Sequence, residues 1–245
     1  MLKLEAISKE YYANGEKFYA LKDINITIPK GQFICFLGPS GCGKSTLINL
    51  IAGLERPTSG NIIFNGKPIT APGCDRVVMF QESALFPWLN VIENIEFGLK
   101  MSGVDKKERQ EKALHYLKMM NLDEFSQSWI HELSGGMRQR VALARALTLP
   151  AKILLMDEPF AALDVQTKRM LQDELLRIFE ETKKTIIFIT HSVEEAIYLG
   201  ERIIIMQPRP GRIKEDEIIE LPKPRQRESL QFVNLAFRIN EEIGS

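Results

Sequence analysis

The sequence lacks several features that would assign a chain of this length to a particular class. No apolar run approaches about 18 residues, the length that a membrane-spanning helix requires. The chain carries 32 basic and 32 acidic side chains, so it has no basic excess of the kind that usually marks nucleic-acid binders. Residues 1–12 alternate apolar and charged side chains, unlike a signal peptide. We therefore expect a soluble, cytoplasmic chain that does not bind nucleic acid.

Cysteine is also scarce. Cys35, Cys42 and Cys74 have neither paired nor metal-type spacing, which predicts reduced thiols in a reducing compartment. The 245 residues allow one large or two small domains, and an apolar fraction of 44% is enough to build a core. No internal repeat or low-complexity segment is present.

What the sequence does contain is a strong phosphate-binding signature. Residues 38–46 have the sequence GPSGCGKST, with the spacing G-x-x-x-x-G-K-S of a P-loop, between a predicted strand and a predicted helix. Glycines let the backbone wrap around a phosphate, and the loop N–H groups and the helix N-terminus point at it. Lys44 is expected on the β- and γ-phosphates, and Ser45 on Mg²⁺. The predicted nucleotide-binding residues are Gly38, Pro39, Ser40, Gly41, Cys42, Gly43, Lys44, Ser45 and Thr46.

Two further apolar runs end in polar residues, one in Asp157-Glu158 and the other in His191. Both runs are typical of parallel strands, and ligands of an open parallel sheet bind beyond the carboxyl ends of its strands. Asp157 fits a carboxylate that holds Mg²⁺, Glu158 fits a general base for the attacking water, and His191 can sense the γ-phosphate. His191 has a second interpretation as the neighbour of a helix cap, because Ser192 and Glu195 form a capping-box pattern.

A second glycine-containing motif, LSGGMRQR over residues 133–140, precedes a predicted helix. Two glycines allow close backbone approach, and a helix N-terminus attracts anions. One nucleotide does not need two such cradles from one chain. We therefore predict a head-to-tail dimer, in which each ATP lies between the P-loop of one chain and Ser134, Gly135 and Gly136 of the other.

The hydrophobic patterns predict an α/β fold: a P-loop ATPase core with a mainly parallel sheet, an N-terminal antiparallel β subdomain and an inserted α-helical subdomain. Strands are predicted at residues 2–6 and 20–28, and Asn65-Gly66 is a hairpin signal. We expect the helical insertion over about residues 83–149 of an ATPase domain covering residues 1–207. Residues 208–245 are expected to form a C-terminal tail with a short strand pair and a helix.

Taken in order, these motifs resemble those of the ATP-binding subunits of ATP-binding cassette (ABC) transporters. The order is the P-loop, Gln81, the Leu-Ser-Gly-Gly motif, Asp157-Glu158, Ala162-Leu163-Asp164 and His191. The resemblance implies that Gln81 contacts Mg²⁺ in the catalytic site and links it to a membrane partner. It also implies that Asp164 lies at the dimer interface near the nucleotide and that an early aromatic residue stacks on adenine. Tyr11 is the predicted adenine residue, with Tyr12 and Tyr19 as alternatives.

Residues 81–89, 208–213 and 221–225 look like the nitrate/sulfonate/taurine importer branch of that family. This implies an ATPase subunit of a bacterial importer for a small anion, with ATP and Mg²⁺ as cofactors. The implied partners are transmembrane permease subunits and, indirectly, a substrate-binding protein, at the cytoplasmic face of the inner or plasma membrane. The apolar residues at 85–89 could form a groove for a membrane subunit, or belong to ordinary core packing. An alternative function is a soluble ABC ATPase for cofactor or complex assembly, which would share every site residue.

Cys42 supports a separate hypothesis. A thiol beside a phosphate cradle and a helix N-terminus is expected to have a lowered pKa. We therefore predict that a maleimide reacts readily with Cys42 and inhibits hydrolysis, and that ATP protects the thiol.

Overall fold

The computed structural model describes residues 1–13, 15–80, 83–161 and 163–244. Within these ranges the chain forms ten strands and seven α-helices. The strands are β1 (Leu2–Ala13), β2 (Glu16–Ile28), β3 (Phe33–Leu37), β4 (Ser59–Phe64), β5 (Lys67–Pro68), β6 (Arg76–Met79), β7 (Ile153–Asp157), β8 (Thr185–Thr190), β9 (Arg202–Gln207) and β10 (Arg212–Ile218). The helices are α1 (Lys44–Ala52), α2 (Val91–Met101), α3 (Lys106–Met119), α4 (Gly135–Thr148), α5 (Val165–Thr182), α6 (Val193–Leu199) and α7 (Leu230–Gly244). No helix among the described residues is both long enough and apolar enough to cross a membrane.

A six-stranded sheet forms the centre of the molecule, in the order β10-β9-β3-β8-β7-β6. Four of its five pairings, β9-β3, β3-β8, β8-β7 and β7-β6, are parallel, whereas β10 pairs antiparallel with β9 at the edge. Strands β3, β7 and β8 are buried at every residue. Alternate residues of β3 face two different hydrophobic clusters, with Phe33, Cys35 and Leu37 in one, and Ile34 and Phe36 in the other. The continuous apolar runs of these strands therefore reflect burial on both faces.

A smaller antiparallel sheet has the order β2-β1-β4-β5. Its β4–β5 hairpin turns at Asn65 and Gly66, whose φ angles are 51° and 79°, so the predicted Asn-Gly hairpin is confirmed. Strand β2 begins at Glu16, earlier than the predicted residue 20. Residues 16–19 pair with β1 but are exposed, so no alternation of buried and exposed residues marks this part of the strand.

Three long helices, α2, α3 and α4, lie between β6 and β7 and pack on one another, as expected for a helical insertion. The predicted helices at 105–120 and 135–149 correspond to α3 and α4. Helix α2 had no separate prediction, although Asn90 and Glu93 close its N-terminus with a reciprocal capping box. The fold class is confirmed, whereas the domain limits at 83–149 and 207 remain proposals.

The C-terminal residues differ from the predicted strand pair. Ile213 and Ile218 belong to one strand, β10, which pairs with the edge of the large sheet through β9. The backbone N–H and C=O groups of β10 pair with those along the edge of β9, so β10 needs no second strand of the tail as its partner. Helix α7 follows and buries Phe232 and Ile239 in the larger hydrophobic cluster.

Candidate functional site

A cleft of about 620 Å³ lies where the P-loop and the turn after β7 meet. Strands β3, β8 and β7 are neighbouring and parallel, so their carboxyl ends lie at one edge of the sheet. The cleft is lined by Tyr11, Phe18, Tyr19, Ala20, Ser40, Gly41, Gly43, Lys44, Ser45, Thr46, Glu158 and Arg209. Residues from the predicted phosphate site, the predicted acidic site and the early aromatic segment therefore share one cleft.

The P-loop has the backbone shape that phosphate binding requires. Gly43 has a φ of 93°, and a Cβ at this position would lie 2.5 Å from Leu21 Cδ2. The Lys44 ammonium donates hydrogen bonds to the carbonyl oxygens of Gly38 (2.7 Å) and Pro39 (3.1 Å), which holds it inside the loop. Among the described residues, no side chain caps the N-terminus of α1. Its N–H groups and the Lys44 charge therefore suit an anionic ligand.

Ser45 and Asp157 bring a hydroxyl and a carboxylate together below the loop. Asp157 is the last residue of β7 and is buried, and its side chain accepts a hydrogen bond from Ser45. Burial raises the pKa of the Asp157 carboxyl, and the hydrogen bond from Ser45 partly offsets this. Both groups are hard oxygen donors of the type that Mg²⁺ prefers. The donor set therefore fits the predicted metal.

Glu158 and His191 face each other across the ends of β7 and β8. Glu158 has a left-handed backbone with a φ of 47°, and its N–H donates to the carbonyl oxygen of Ile189 at 3.0 Å. This conformation brings its Oε2 within 3.2 Å of His191 Nδ1. Ser192 caps α6 by accepting from the Glu195 N–H, so His191 also neighbours a helix cap, as its second interpretation proposed. Both interpretations are compatible, because a cap at Ser192 leaves the imidazole free to reach Glu158.

The second glycine-containing motif lies away from this cleft. Ser134 accepts from the Met137 N–H and caps α4, and Asp164 accepts from the Thr167 N–H and caps α5. Ser134, Gly135 and Asp164 are exposed, and Gly136 is half-buried. Within the described part of the chain, none of these four residues lines the cleft. The prediction that they lie at the interface with a second chain, near the ATP of that chain, remains a proposal. Gln81 and Ala162 lie outside the described residues.

Three aromatic residues line the cleft on its β1–β2 side. The Tyr11 hydroxyl donates to Glu55 Oε2 at 2.5 Å, and burial followed by this hydrogen bond raises the pKa of Tyr11 to about 12. Tyr19 is also in the cleft, but Tyr12 is 75% exposed and does not belong to the described lining. Phe18 was not predicted. It pairs with Tyr11 across the β1–β2 ribbon, with ring centroids 6.0 Å apart, so only the strand register could have identified it.

The structure contradicts the predicted reactivity of Cys42. Its side chain is fully buried in the hydrophobic cluster beneath the small sheet, not directed at the phosphate site. Burial raises the pKa of the Cys42 thiol, although the nearby Lys44 ammonium, 3.7 Å away, opposes this. The prediction of a lowered pKa was therefore wrong, because position along a P-loop does not determine the direction of the side chain.

Comparisons with known proteins identify the family of this chain. Residues 21–161 match the family model described as ABC transporter. An uncharacterized ABC transporter ATP-binding protein of Methanocaldococcus jannaschii is 48% identical over 97% of this chain and 89% of its own length. A nitrate import ATP-binding protein of Synechocystis sp. is 47% identical over 90% of this chain and 83% of its own length. A taurine import ATP-binding protein of Pelagibacter ubique is 52% identical over 82% of this chain and 76% of its own length.

A solved structure of an ATP-binding cassette is also similar to this chain. It is described as a dimeric, post-hydrolysis state of an ATP-binding cassette bound to ADP and Pi. It aligns with a TM-score of 0.83 and 35% identity, covering 91% of this chain and 100% of that chain. Together these matches confirm the resemblance that the motifs predicted, including the nitrate and taurine branch.

Proposed function

Because this chain belongs to the ABC transporter family as an ATP-binding subunit and ATPase, we propose that it drives a bacterial importer for a small anion such as nitrate, sulfonate or taurine. One observation carries the proposal. The P-loop and the acidic turn at Glu158 line the same cleft. In addition, Ser45 of the loop donates a hydrogen bond to Asp157, the residue before Glu158. A phosphate held by the loop would therefore lie next to the carboxylate that can act on water.

We assign the roles within the cleft from the contacts of each residue. Lys44 and the loop N–H groups bind the phosphates, and Ser45 with Asp157 would hold Mg²⁺, which would supply positive charge to the transferring phosphoryl group. Glu158 orients and deprotonates the attacking water, with His191 beside it at 3.2 Å. A cleft wall of Tyr11, Phe18 and Tyr19 offers aromatic surface to the adenine, and of these Tyr11 remains our preferred stacking residue.

The dimer proposal follows from the exposed helix ends. Ser134 and Gly135 lie at the uncovered N-terminus of α4, which is suited to a phosphate that its own chain does not hold. Arg138 donates to the carbonyl oxygen of Leu133 at 2.5 Å and so fixes the shape of the motif. The similar solved cassettes are dimeric. We infer that ATP closes a head-to-tail dimer and that hydrolysis reopens it.

The segment after Gln81 is the proposed contact with the permease. Arg145 of α4 donates to the carbonyl oxygens of Ser83 and Ala84, which ties this segment to the helical insertion. Phe86 packs against Phe97, with ring centroids 4.5 Å apart. Trp88 is 68% exposed. An exposed aromatic side chain on a fixed segment suits the docking of a membrane-subunit helix, which would hold this chain at the cytoplasmic face of the membrane.

The first test is the turnover of the Glu158→Gln variant. Loss of the general base is expected to lower the ATPase rate by about 10²–10⁴-fold, while ATP still binds and traps a dimer detectable by size-exclusion chromatography. The matched control is Glu174→Gln, an acidic residue on α5 whose carboxylate pairs with Arg177, and it should leave turnover unchanged. A Glu158→Gln rate above about a tenth of the wild-type rate would contradict the general-base assignment.

The second test separates the importer from an assembly ATPase. Tagged Glu158→Gln protein is purified with ATP from solubilised membranes of its own organism, and the proteins retained with it are identified. A polytopic membrane protein in stoichiometric amount supports the importer, and its substrate-binding protein would narrow the substrate. Soluble partners alone, with the dimer intact, would favour the assembly ATPase.

A further inference from the structure

The loop between β9 and β10 brings a second cation to the nucleotide cleft. Arg209 lies in this loop and lines the cleft together with Lys44, Ser45 and Thr46. These two residues, Lys44 and Arg209, are the cations among the described residues of the cleft wall. Arg209 is exposed, and within the described part of the chain its guanidinium has no hydrogen-bond or ion-pair partner. Its five N–H donors are therefore free to bind a ligand.

The loop that carries Arg209 is hydrogen-bonded to β2 and lies close to the P-loop. The Gly211 N–H donates to the Ala20 carbonyl oxygen at 3.1 Å, and the Lys22 N–H donates to the Gly211 carbonyl oxygen at 2.9 Å. A Cβ at Gly211 would lie 2.2 Å from the carbonyl oxygen of Cys42, so only glycine permits this approach. Arg209 is thus held two residues from a point of direct contact with the P-loop backbone.

The backbone of Arg209 also departs from the usual conformation. Its φ is 54°, in the left-handed region that non-glycine residues seldom occupy. Such conformations persist where the surroundings impose them, and they cluster at ligand sites. Arg209 combines this backbone conformation with a side chain that lines the cleft.

The chemistry of the two cations differs in a way that matters for a nucleotide. The Lys44 ammonium is already bonded to two loop carbonyls, and it acts as a point charge. A guanidinium is planar and presents paired donors that match the oxygens of a phosphate. Glu158 is the acidic residue of the described cleft wall, and among the described residues its carboxylate contacts His191 and forms no ion pair with Arg209.

We propose that Arg209 is a nucleotide-binding residue that donates hydrogen bonds to the phosphate chain of ATP and ADP. The inference rests on the proposed nucleotide site and adds to it a contact from the C-terminal tail. The tail would then contribute to nucleotide affinity as well as to the edge of the sheet.

The test compares the dissociation constants of ATP and ADP, measured by titration calorimetry at low and moderate salt. Arg209→Gln should weaken both by roughly 5- to 30-fold, because a charge-assisted hydrogen bond is lost. Arg209→Lys should recover part of the affinity, and the deficit of the glutamine variant should shrink as salt rises. Arg212→Gln, three residues along the tail and outside the cleft wall, is the control and should bind within about twofold of wild type.

Three results would overturn the inference. The first is an Arg209→Gln variant that binds nucleotide within about twofold of wild type. The second is a loss of nucleotide affinity in Arg209→Gln that does not change with salt. The third is an Arg209→Lys variant that binds as weakly as Arg209→Gln, which would indicate a structural role. Lys44→Ala separates these from failure of the nucleotide site itself. If wild-type protein binds no ATP, or Lys44→Ala binds as tightly as wild type, the proposed site is wrong. If wild-type protein binds ATP and Lys44→Ala binds it more weakly, the nucleotide site is supported, and the Arg209 variants then test the Arg209 inference alone.

Discussion

Replacing Arg225 by methionine should lower the free energy of unfolding by about 3–5 kcal/mol. Arg225 lies between β10 and α7, and its side chain is buried, with 7% of the residue exposed. One guanidinium nitrogen, Nη1, donates to the carbonyl oxygens of Ile197 (2.6 Å), Tyr198 (3.2 Å) and Gly200 (2.6 Å). These carbonyls belong to the C-terminal end of α6, where a helix has no backbone donors of its own to offer.

The magnitude follows from these contacts. Each of the two 2.6 Å hydrogen bonds is charge-assisted and contributes about 1.5–3 kcal/mol. The guanidinium cation is also attracted to the negative, C-terminal end of the α6 dipole. Methionine would fill a similar volume but leave buried carbonyls without a donor. Burial lowers the pKa of Arg225, so removing the charge recovers some desolvation cost. Lysine should lose about half as much as methionine, because one ammonium can reach some of the same carbonyls.

The assay is equilibrium unfolding in urea, followed by far-UV circular dichroism. A loss of this size should move the midpoint by more than about 1 M at an unchanged slope. The control is Arg177→Met, whose side chain is 51% exposed and forms surface ion pairs with Glu174 and Glu181. Surface pairs of this kind contribute up to about 1 kcal/mol. A loss for Arg225→Met no larger than for Arg177→Met would refute the reasoning.

Two further predictions concern the cleft and its surroundings. In the native protein a maleimide should modify the exposed Cys74 and spare the buried Cys42, measured by mass spectrometry; modification of both at similar rates would contradict the burial argument. The fold favours the protonated form of Tyr11, whose pKa is raised to about 12, so this stabilisation is complete below about pH 10 and is lost as pH rises towards 12. The free energy of unfolding of Tyr11→Phe should therefore fall less steeply than that of the wild type as pH rises from about 10 to 12. Unfolding midpoints that depend equally on pH in the two proteins would contradict this prediction.

Much of the fold could be predicted because its signals are local. A strand buried on both faces must be apolar throughout, as β3, β7 and β8 are, and a turn with two positive φ angles requires residues such as Asn65 and Gly66. Strand β10 and the exposed start of β2 were harder to predict. Their positions depend on a partner edge elsewhere in the chain, and the residues involved carry little apolar pattern.

The sequence by itself determined the phosphate loop and the acidic turn, because each motif is contiguous and its backbone geometry follows from its own residues. Only the tertiary structure decided what surrounds them. The β1–β2 register brings Phe18 beside Tyr11, and the approach of Gly211 to the P-loop brings Arg209 into the cleft. Packing also directs Cys42 into the core, where burial outweighs the nearby charge in setting the pKa of its thiol. These features depend on contacts between distant segments, which no single stretch of sequence specifies.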